Sequence, residues 1–559
     1  MLKTDDFPDT IFLPDRARLA INCLNGCLNP KHNHLPFCLT DLTGNPPRMA
    51  HTQFDWSDHT ARVIDALLLA NAMTGDASAE RHLGDLQPLF EQGFGDDGLH
   101  YTPDNPWSFR HANMHYQRSV LNALLSLALV KGSSQAADRA RGLARGLSDV
   151  SIHREGYAYF PAVERLPDGW PRGDWNILGW GVDPANTNGR LIFGLSRLAE
   201  FEGSAIARDL AGAYARHVMH ASSAFGGDGS FATGMEFREG HFHSRAVTLL
   251  GVIRYGHAQR DASALEWGRR VFERALGYGT SFGWFPERLV KSRAHGCETC
   301  AIVDMMESAI WLAKSGHSAY WEHAERFLRN QLLESQVTRT DWIRSAPPDQ
   351  VDGEWETTEN VAQRALGGFA GWSQPNDLVS KVMHQWDLYT CCSAQGVRGL
   401  FNAWTHAATF EQGTLSVNLL INSVGEHATV KSWLPTEGRL EVRLHREASV
   451  RIRVPSWVDP RTFALEVDGQ SVPLRFTDSV FVRTDPLPAG SVVRASFPVA
   501  TRTTSETVLD TTFRAEWRGD TVISMSPGGT RVPLYQRESL ASGPVKLCAK
   551  SAPAVKFQL

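Results

Sequence analysis

From residue 57 onward, apolar positions recur with the period of an α-helix. Val63, Ile64, Ala66, Leu67, Leu68 and Ala70 predict a helix that opens on Ser57 as its N-cap and stops at Gly75. Tyr116 to Lys131 repeats the pattern with Val120, Leu121, Leu124, Leu125, Leu127 and Leu129. Further helices are expected at 134–148, 187–202, 204–220, 241–258, 262–276, 298–314, 317–334 and 393–409. Residues 1–50, rich in Pro, Asn and Cys, read as irregular. Helices in such number, with no strand alternation between them, argue for an all-α domain, and paired helices commonly close into an α/α toroid. Near residue 411 the period changes to two: Leu415, Val417, Leu419 and Ile421, then Leu440, Val442 and Leu444, then Val450, Ile452 and Val454. Val467-Asp468-Gly469-Gln470 is a hairpin signal, and Val480, Val482, Val493, Ala495 and Phe497 continue the alternation. The expected architecture is mainly α: an (α/α)6-type toroid over residues 1–410, followed by an all-β sandwich over 411–559.

Length agrees with two or more domains, since 559 residues exceed one ordinary core. A hydrophobic content of 42% and a charged content of 21% are those of a soluble globular protein. The net charge of −5 leaves no basic footprint for nucleic acid or anionic membrane. The first residues, Met-Leu-Lys-Thr-Asp-Asp-Phe-Pro-Asp, hold no apolar stretch of signal-peptide length, so the chain reads as cytoplasmic.

The cysteines narrow the picture. Eight occur, at 23, 27, 38, 297, 300, 391, 392 and 548. In a large chain without an export signal, clustered cysteines point to metal or catalysis rather than disulfides. Glu298 and Cys300 pair with the adjacent Cys391 and Cys392 as one carboxylate and three thiols, a donor set that zinc accepts. Two positions apart in mid-helix, Glu298 and Cys300 would point about 200° apart, so they converge only at a helix start. Gly296 before them and the apolar run after them place them there. Cys23, Cys27 and Cys38, with His32 and His34, offer a second metal-ligating group, although their spacing matches no zinc module closely. Cys548 reads as a small buried hydrophobe.

Glu298-Thr-Cys300, Cys391-Cys392, Ile452-Arg-Val-Pro-Ser-Trp457 and Val467-Asp468-Gly469 resemble the motifs of glycoside hydrolase family 127, the bacterial β-L-arabinofuranosidases and their relatives. Weaker echoes are Phe54-Asp-Trp-Ser-Asp58, Gly189-Arg-Leu-Ile192 and Gly240-His-Phe-His-Ser-Arg-Ala-Val247, and the resemblance runs through most of the chain in the same order. It implies a toroid followed by β-sandwich domains, and a retaining glycosidase whose nucleophile is a zinc-bound cysteine. Carried over by position, Cys391 attacks the anomeric carbon, while Cys392, Cys300 and Glu298 complete the zinc shell. From the residues alone, four protein ligands favour a closed structural zinc instead.

The acid/base is where the pattern departs from the family. Gly279-Thr-Ser-Phe-Gly283 stands where the family carries its glutamate and holds no carboxylate. Glu287 is the nearest candidate, with Glu236, His295, His241 and His243 as other proton donors; Glu287 could equally be a solvated charge beside Arg288. His241 and His243 beside Arg245, Asp55 and Asp58 around Trp56, Asn188 and Arg190 near another helix start, and the Trp386-Asp387 pair are candidates for binding sugar hydroxyls. Asp58 and Asn188 read equally as helix caps.

The expectation is a zinc-dependent retaining glycoside hydrolase, exo-acting on a β-L-arabinofuranosyl or similar terminal sugar. The partner is a small carbohydrate, with neither nucleic acid nor membrane, and a homodimer is left open. The alternatives are a non-catalytic sugar-binding toroid with structural zinc, or a sugar isomerase or lyase on the same fold.

Overall fold

A computed structural model describes residues 2–171, 182–380, 385–541 and 543–553. These contain thirteen α-helices: α1 (Leu13–Gly26), α2 (Thr60–Thr74), α3 (Leu83–Glu91), α4 (Gln117–Lys131), α5 (Ser134–Val150), α6 (Asn188–Glu202), α7 (Ala205–Arg216), α8 (Phe242–Gln259), α9 (Ala262–Leu276), α10 (Thr299–Lys314), α11 (Tyr320–Phe327), α12 (Val361–Ala365) and α13 (Thr390–Ala407).

Burial sorts the helices into two rings. In α13 every residue is buried, and in α10 all but Lys314. In α5 and α9 only one face is buried, the pattern of a helix half in water. The inner ring closes in the order α2, α4, α6, α8, α10, α13 and back to α2, with α1, α3, α5, α7, α9 and α11 packed outside. This is the (α/α)6 toroid expected from the helix count. Polar ties cross its interior: Arg398 of α13 forks onto Asp65 of α2 at 2.7 and 2.8 Å, and Ser126 of α4 donates to the same carboxylate at 2.6 Å.

Helix α1 corrects the irregular reading of the first fifty residues. Pro14 occupies the first turn, where a missing N–H costs nothing, and Leu13, Ala17, Ala20, Ile21 and Leu24 bury one face. The start of α2 also differs from expectation. Residues Asp55–His59 form a π-turn, and Ser57 is not the cap; its hydroxyl meets Thr102 Oγ1 at 2.9 Å and His100 Nδ1 at 3.1 Å.

After α13 ends at Ala407, strands begin at Ala408. Strands 408–411, 414–417, 449–453 and 481–483 form one sheet, and 423–424, 428–432, 439–444, 492–496, 464–467 and 470–471 form another. Val417, Val450 and Ile452 from the first share a core with Val430, Val442 and Val493 from the second, which makes the sandwich. The predicted hairpin is present, with Asp468 at φ 50° and Gly469 at φ 80° between strands 464–467 and 470–471. A three-stranded meander over 501–526 turns Phe513, Ala515, Trp517 and Val522 into the helical core instead. Strand 2–8 pairs antiparallel with 547–553.

Candidate active site at the toroid mouth

The N-termini of the inner helices meet at one end of the ring, and short strands outside the helices fix the residues there. Strand Leu388–Tyr389 pairs with Leu39–Thr40, and Thr390 N donates to Cys38 O at 2.9 Å, so the first turn of α13 starts at a set height. Cys297 and Ser373 exchange backbone hydrogen bonds at 2.9 and 3.1 Å, and Thr299 Oγ1 donates to Ala370 O at 2.7 Å. Glu298 is therefore the extended N-cap of α10, with Cys300 in the first turn, as convergence of an E-x-C pair requires. The loop carrying Ser373 is braced by Asp377, whose carboxylate accepts from the backbone N–H groups of Thr530, Arg531 and Val532 at 2.7–2.9 Å.

Three sulfurs result, close together. Cys300 Sγ lies 3.7 Å from Cys392 Sγ, and Cys391 Sγ lies 3.9 Å from Cys392 Sγ. Zinc–sulfur bonds of about 2.3 Å place the corners of a tetrahedron about 3.8 Å apart, so the donors are spaced to take the ion. Cys300 and Cys392 are fully buried, whereas Cys391 keeps 6% of its surface. Burial pushes the thiols of Cys391 and Cys392 up. Burial acts on Cys300 too, but hydrogen bonds from Cys391 and Cys392 and the charges of Arg62 and Arg118 outweigh it and hold its thiol well below the usual range. Cys300 is thus the one of the three sulfurs that its surroundings favour as an anion.

Glu298 stands beside the sulfurs without joining their tight group. Its Oε2 is 3.0 Å from His241 Nε2, off the line a hydrogen bond needs, and is otherwise without a hydrogen-bond partner. Burial, then the charges of Cys300 and Glu287, push its carboxyl up. A buried carboxylate oxygen that feels the Cys300 charge is chemically suited to join the three sulfurs as a cation ligand.

Glu287 is buried, at 5% exposure, which removes the solvated-charge reading. Its backbone is clamped between two mouth segments: Phe242 N donates to its carbonyl at 2.8 Å, and its own N–H donates to Gly296 O at 2.7 Å. Arg288 Nε lies 3.8 Å from Glu287 Oε1. Glu236 is exposed and His295 half-buried. His241 caps α8, with Nδ1 2.7 Å from Ser244 Oγ, and His243 Nδ1 lies 2.6 Å from Asp304 Oδ2. Both imidazoles are held well below their usual range, chiefly by burial and then by neighbouring arginines, so they stand neutral.

The other candidates are placed as follows. Asp55 is fully buried, with Oδ2 2.7 Å from His51 Nδ1 and accepting from Thr52 N at 2.9 Å. Asp387 accepts from Leu42 N at 2.8 Å and Thr43 N at 3.1 Å, which anchors the strand leading to Cys391. Trp386 lies under the Arg48 guanidinium at 5.0 Å. Arg190 Nη1 meets His243 Nε2 at 2.9 Å, while Arg245 forks onto Asp183. Asp58 holds Arg62 at 2.8 Å, and Asn188 Nδ2 faces His217 Nδ1 at 3.3 Å. Cys38 gathers with Asp55 and His59, and His34 with His82 and Asp85, rather than with Cys23 and Cys27.

Sequence reasoning missed Arg62, Arg118 and Asp304, which face the sulfurs or their neighbours from α2, α4 and α10. Arg118 Nη2 stands 3.7 Å from Asp304 Oδ1. Their signal was present: each is a charge inside a helix that is otherwise buried all round.

A closed ring of six helix pairs, a sandwich behind it and a cluster of three thiols at the helix N-termini define an (α/α)6 toroid. In fold the chain is similar to a GH127 β-L-arabinofuranosidase from Geobacillus stearothermophilus T6, with a TM-score of 0.60 at 14% identity over 93% of this chain and 86% of that one. A second GH127 β-arabinofuranosidase matches with a TM-score of 0.63 at 13% identity, over 93% of this chain and 83% of that one. A structure described as a glycoside hydrolase gives 0.61 at 13% identity, over the same 93% and 83%. No family model matches the sequence, and no curated protein matches it. Among the described residues no helix is long and apolar enough to cross a membrane.

Proposed function

We propose that the chain is a retaining glycoside hydrolase that removes a terminal β-L-arabinofuranosyl or similar unit, with Cys391 as nucleophile and Glu287 as acid/base. The observation that carries the reading is the trio of sulfurs at tetrahedral spacing, Cys391 the least buried of them, with the buried Glu298 carboxyl feeling the charges of both Cys300 and Glu287. Glu298, Cys300, Cys391 and Cys392 would hold zinc. Bound there, zinc would keep the thiols deprotonated at neutral pH and fix their orientation.

The Cys391 thiolate attacks the anomeric carbon, the glycosidic C–O bond breaks, and the leaving oxygen takes the proton of Glu287. The Glu287 carboxylate then takes a proton from water as the water oxygen displaces sulfur, which restores the thiolate and leaves the anomeric configuration unchanged overall. Neutral, and with both ring nitrogens facing protein partners, His241 and His243 suit positioning Glu298, Asp304 and Arg190 better than proton donation. The eight free cysteines suit a reducing compartment, and the reading places the enzyme in the cytoplasm.

Hydrolysis of an aryl β-L-arabinofuranoside, lost in Cys391→Ala while the circular dichroism spectrum is kept, is the expected result. Equal turnover in Cys391→Ala would overturn the nucleophile. The second reading, a structural zinc in a non-catalytic sugar-binding toroid, draws on the full burial of Cys300 and Cys392. It predicts bound zinc and no turnover of any aryl glycoside.

A further inference from the structure

Three tryptophans stand together outside the core, each from a different loop on the mouth side. Trp56 lies in the turn that opens α2, Trp107 in the loop entering α4, and Trp355 in the segment running toward α13. Their ring centroids are 5.4 Å apart for Trp107–Trp355, 6.3 Å for Trp56–Trp355 and 6.4 Å for Trp56–Trp107. His32 stacks on Trp355 at 4.2 Å. Trp107 is 40% exposed and its neighbour Phe109 47%. Trp56 and Trp355 are half-buried, and partly exposed aromatic surface gathered from three separate loops marks binding surfaces.

The chemistry of the patch selects its occupant. An indole face packs against the C–H face of a sugar ring, and the ring's hydroxyls then need polar neighbours. Those neighbours are present. A groove of about 570 Å³ is lined by Lys31, Asp352, Thr358 and Asn360 among others, and the loops that carry His32 and Trp355 contribute to its wall. Lys31 adjoins His32, and Asp352 lies three residues before Trp355.

The turn that bears Trp56 also reaches the sulfurs, through Tyr389, which packs against Cys300, Cys391 and Cys392. The turn bearing Trp56 carries Asp58, which holds Arg62 at 2.8 Å. The Phe54 ring is 6.4 Å from Tyr389, two residues before Cys391, and Tyr389 is 5.5 Å from Trp372.

We propose that Trp56, Trp107 and Trp355 form a subsite for the sugar units beyond the scissile bond, so that the substrate is an oligosaccharide rather than one sugar on a small aglycone. The proposal rests on the hydrolase reading for its place in catalysis, but the binding it asserts can be measured without turnover.

Intrinsic tryptophan fluorescence of wild-type protein, Cys391→Ala, Trp107→Ala and Trp355→Ala, titrated with L-arabino- and D-xylo-oligosaccharides of increasing length, tests it. At least one series should bind more tightly as it lengthens, equally in wild type and Cys391→Ala. Binding should weaken about tenfold in each tryptophan variant, the scale of an aromatic anchor. Kinetics should agree, with the deficit of Trp107→Ala in kcat/KM growing with chain length. Equal affinity in wild type and both tryptophan variants, or no binding of either series, overturns the subsite. Hydrolysis of an aryl arabinofuranoside without any chain-length effect overturns the subsite alone. Length-dependent binding without hydrolysis leaves the subsite standing and removes the hydrolase reading.

Discussion

Cys300 Sγ and Cys392 Sγ lie 3.7 Å apart although 92 residues separate them in the chain. Two independent anchors produce that closeness: the Cys297–Ser373 bridge sets the start of α10, and the Leu388–Tyr389 strand sets the start of α13. A thiol pair built only for packing would need neither. Wild-type protein is therefore expected to purify with about one zinc per chain, the stoichiometry of a four-ligand site. Cys300→Ser and Cys392→Ser should lose it by elemental analysis. Cys297→Ser should keep it, because Cys297 Sγ accepts from Phe285 N at 3.3 Å and is not one of the three sulfurs. Metal retained in Cys392→Ser would remove that residue from the ligand set.

Glu287→Gln should lower kcat on a substrate with a sugar leaving group by about a hundred- to ten-thousand-fold, the usual worth of a general acid/base. The loss in the bond-breaking step should shrink with a nitrophenyl leaving group, which departs without a proton. Pre-steady-state release of nitrophenol would then show a burst in the variant. An equal loss of the burst rate on both substrates would mean that Glu287 positions other groups and is not the acid.

The helical half was legible because each inner helix is apolar enough to declare its period, and the hairpin because Asp468-Gly469 supplies two positive φ values. The meeting of Cys300 with Cys391 and Cys392 was legible as E-x-C and C-C, the first a spacing that only a helix start can use. What was hidden depends on the third dimension. Helix α1 was obscured by Pro14, which signals a break unless it falls in the first turn. Asp387 pairs with backbone groups 344 and 345 residues away, and no local pattern announces that partnership. The meander at 501–526 alternates like a sandwich strand, yet its apolar face meets helices; alternation records that one face is buried, not against what.

Glu307 of α10 makes stability pH-dependent. Burial raises its carboxyl to about 7, against the pull of Arg398 and a hydrogen bond from Asn402 Nδ2. The folded state therefore holds a proton that the unfolded chain releases near 4.5. This contribution is fully present below pH 4.5 and is lost as pH rises through about 7. Urea unfolding at pH 5 and pH 8 should show wild type losing about 2–3 kcal/mol more than Glu307→Gln across that interval. Parallel losses would mean that Glu307 stays ionised throughout.

Arg245 and Asp183 form a fully buried fork at 2.7 and 3.0 Å that ties the segment before α6 to α8. Arg245 Nη2 also donates to Phe237 O at 3.1 Å, in the loop leading to His241. Removing the carboxylate in Asp183→Ala strands a guanidinium in the interior and should cost about 3–5 kcal/mol of unfolding free energy. Asp183→Asn keeps one acceptor and should cost less. Because the pair holds two sides of the mouth together, Asp183→Asn should also raise KM for an aryl glycoside more than it lowers kcat. A stability loss in Asp183→Ala no larger than a surface substitution, within about 0.5 kcal/mol, would show that the fork carries no net energy.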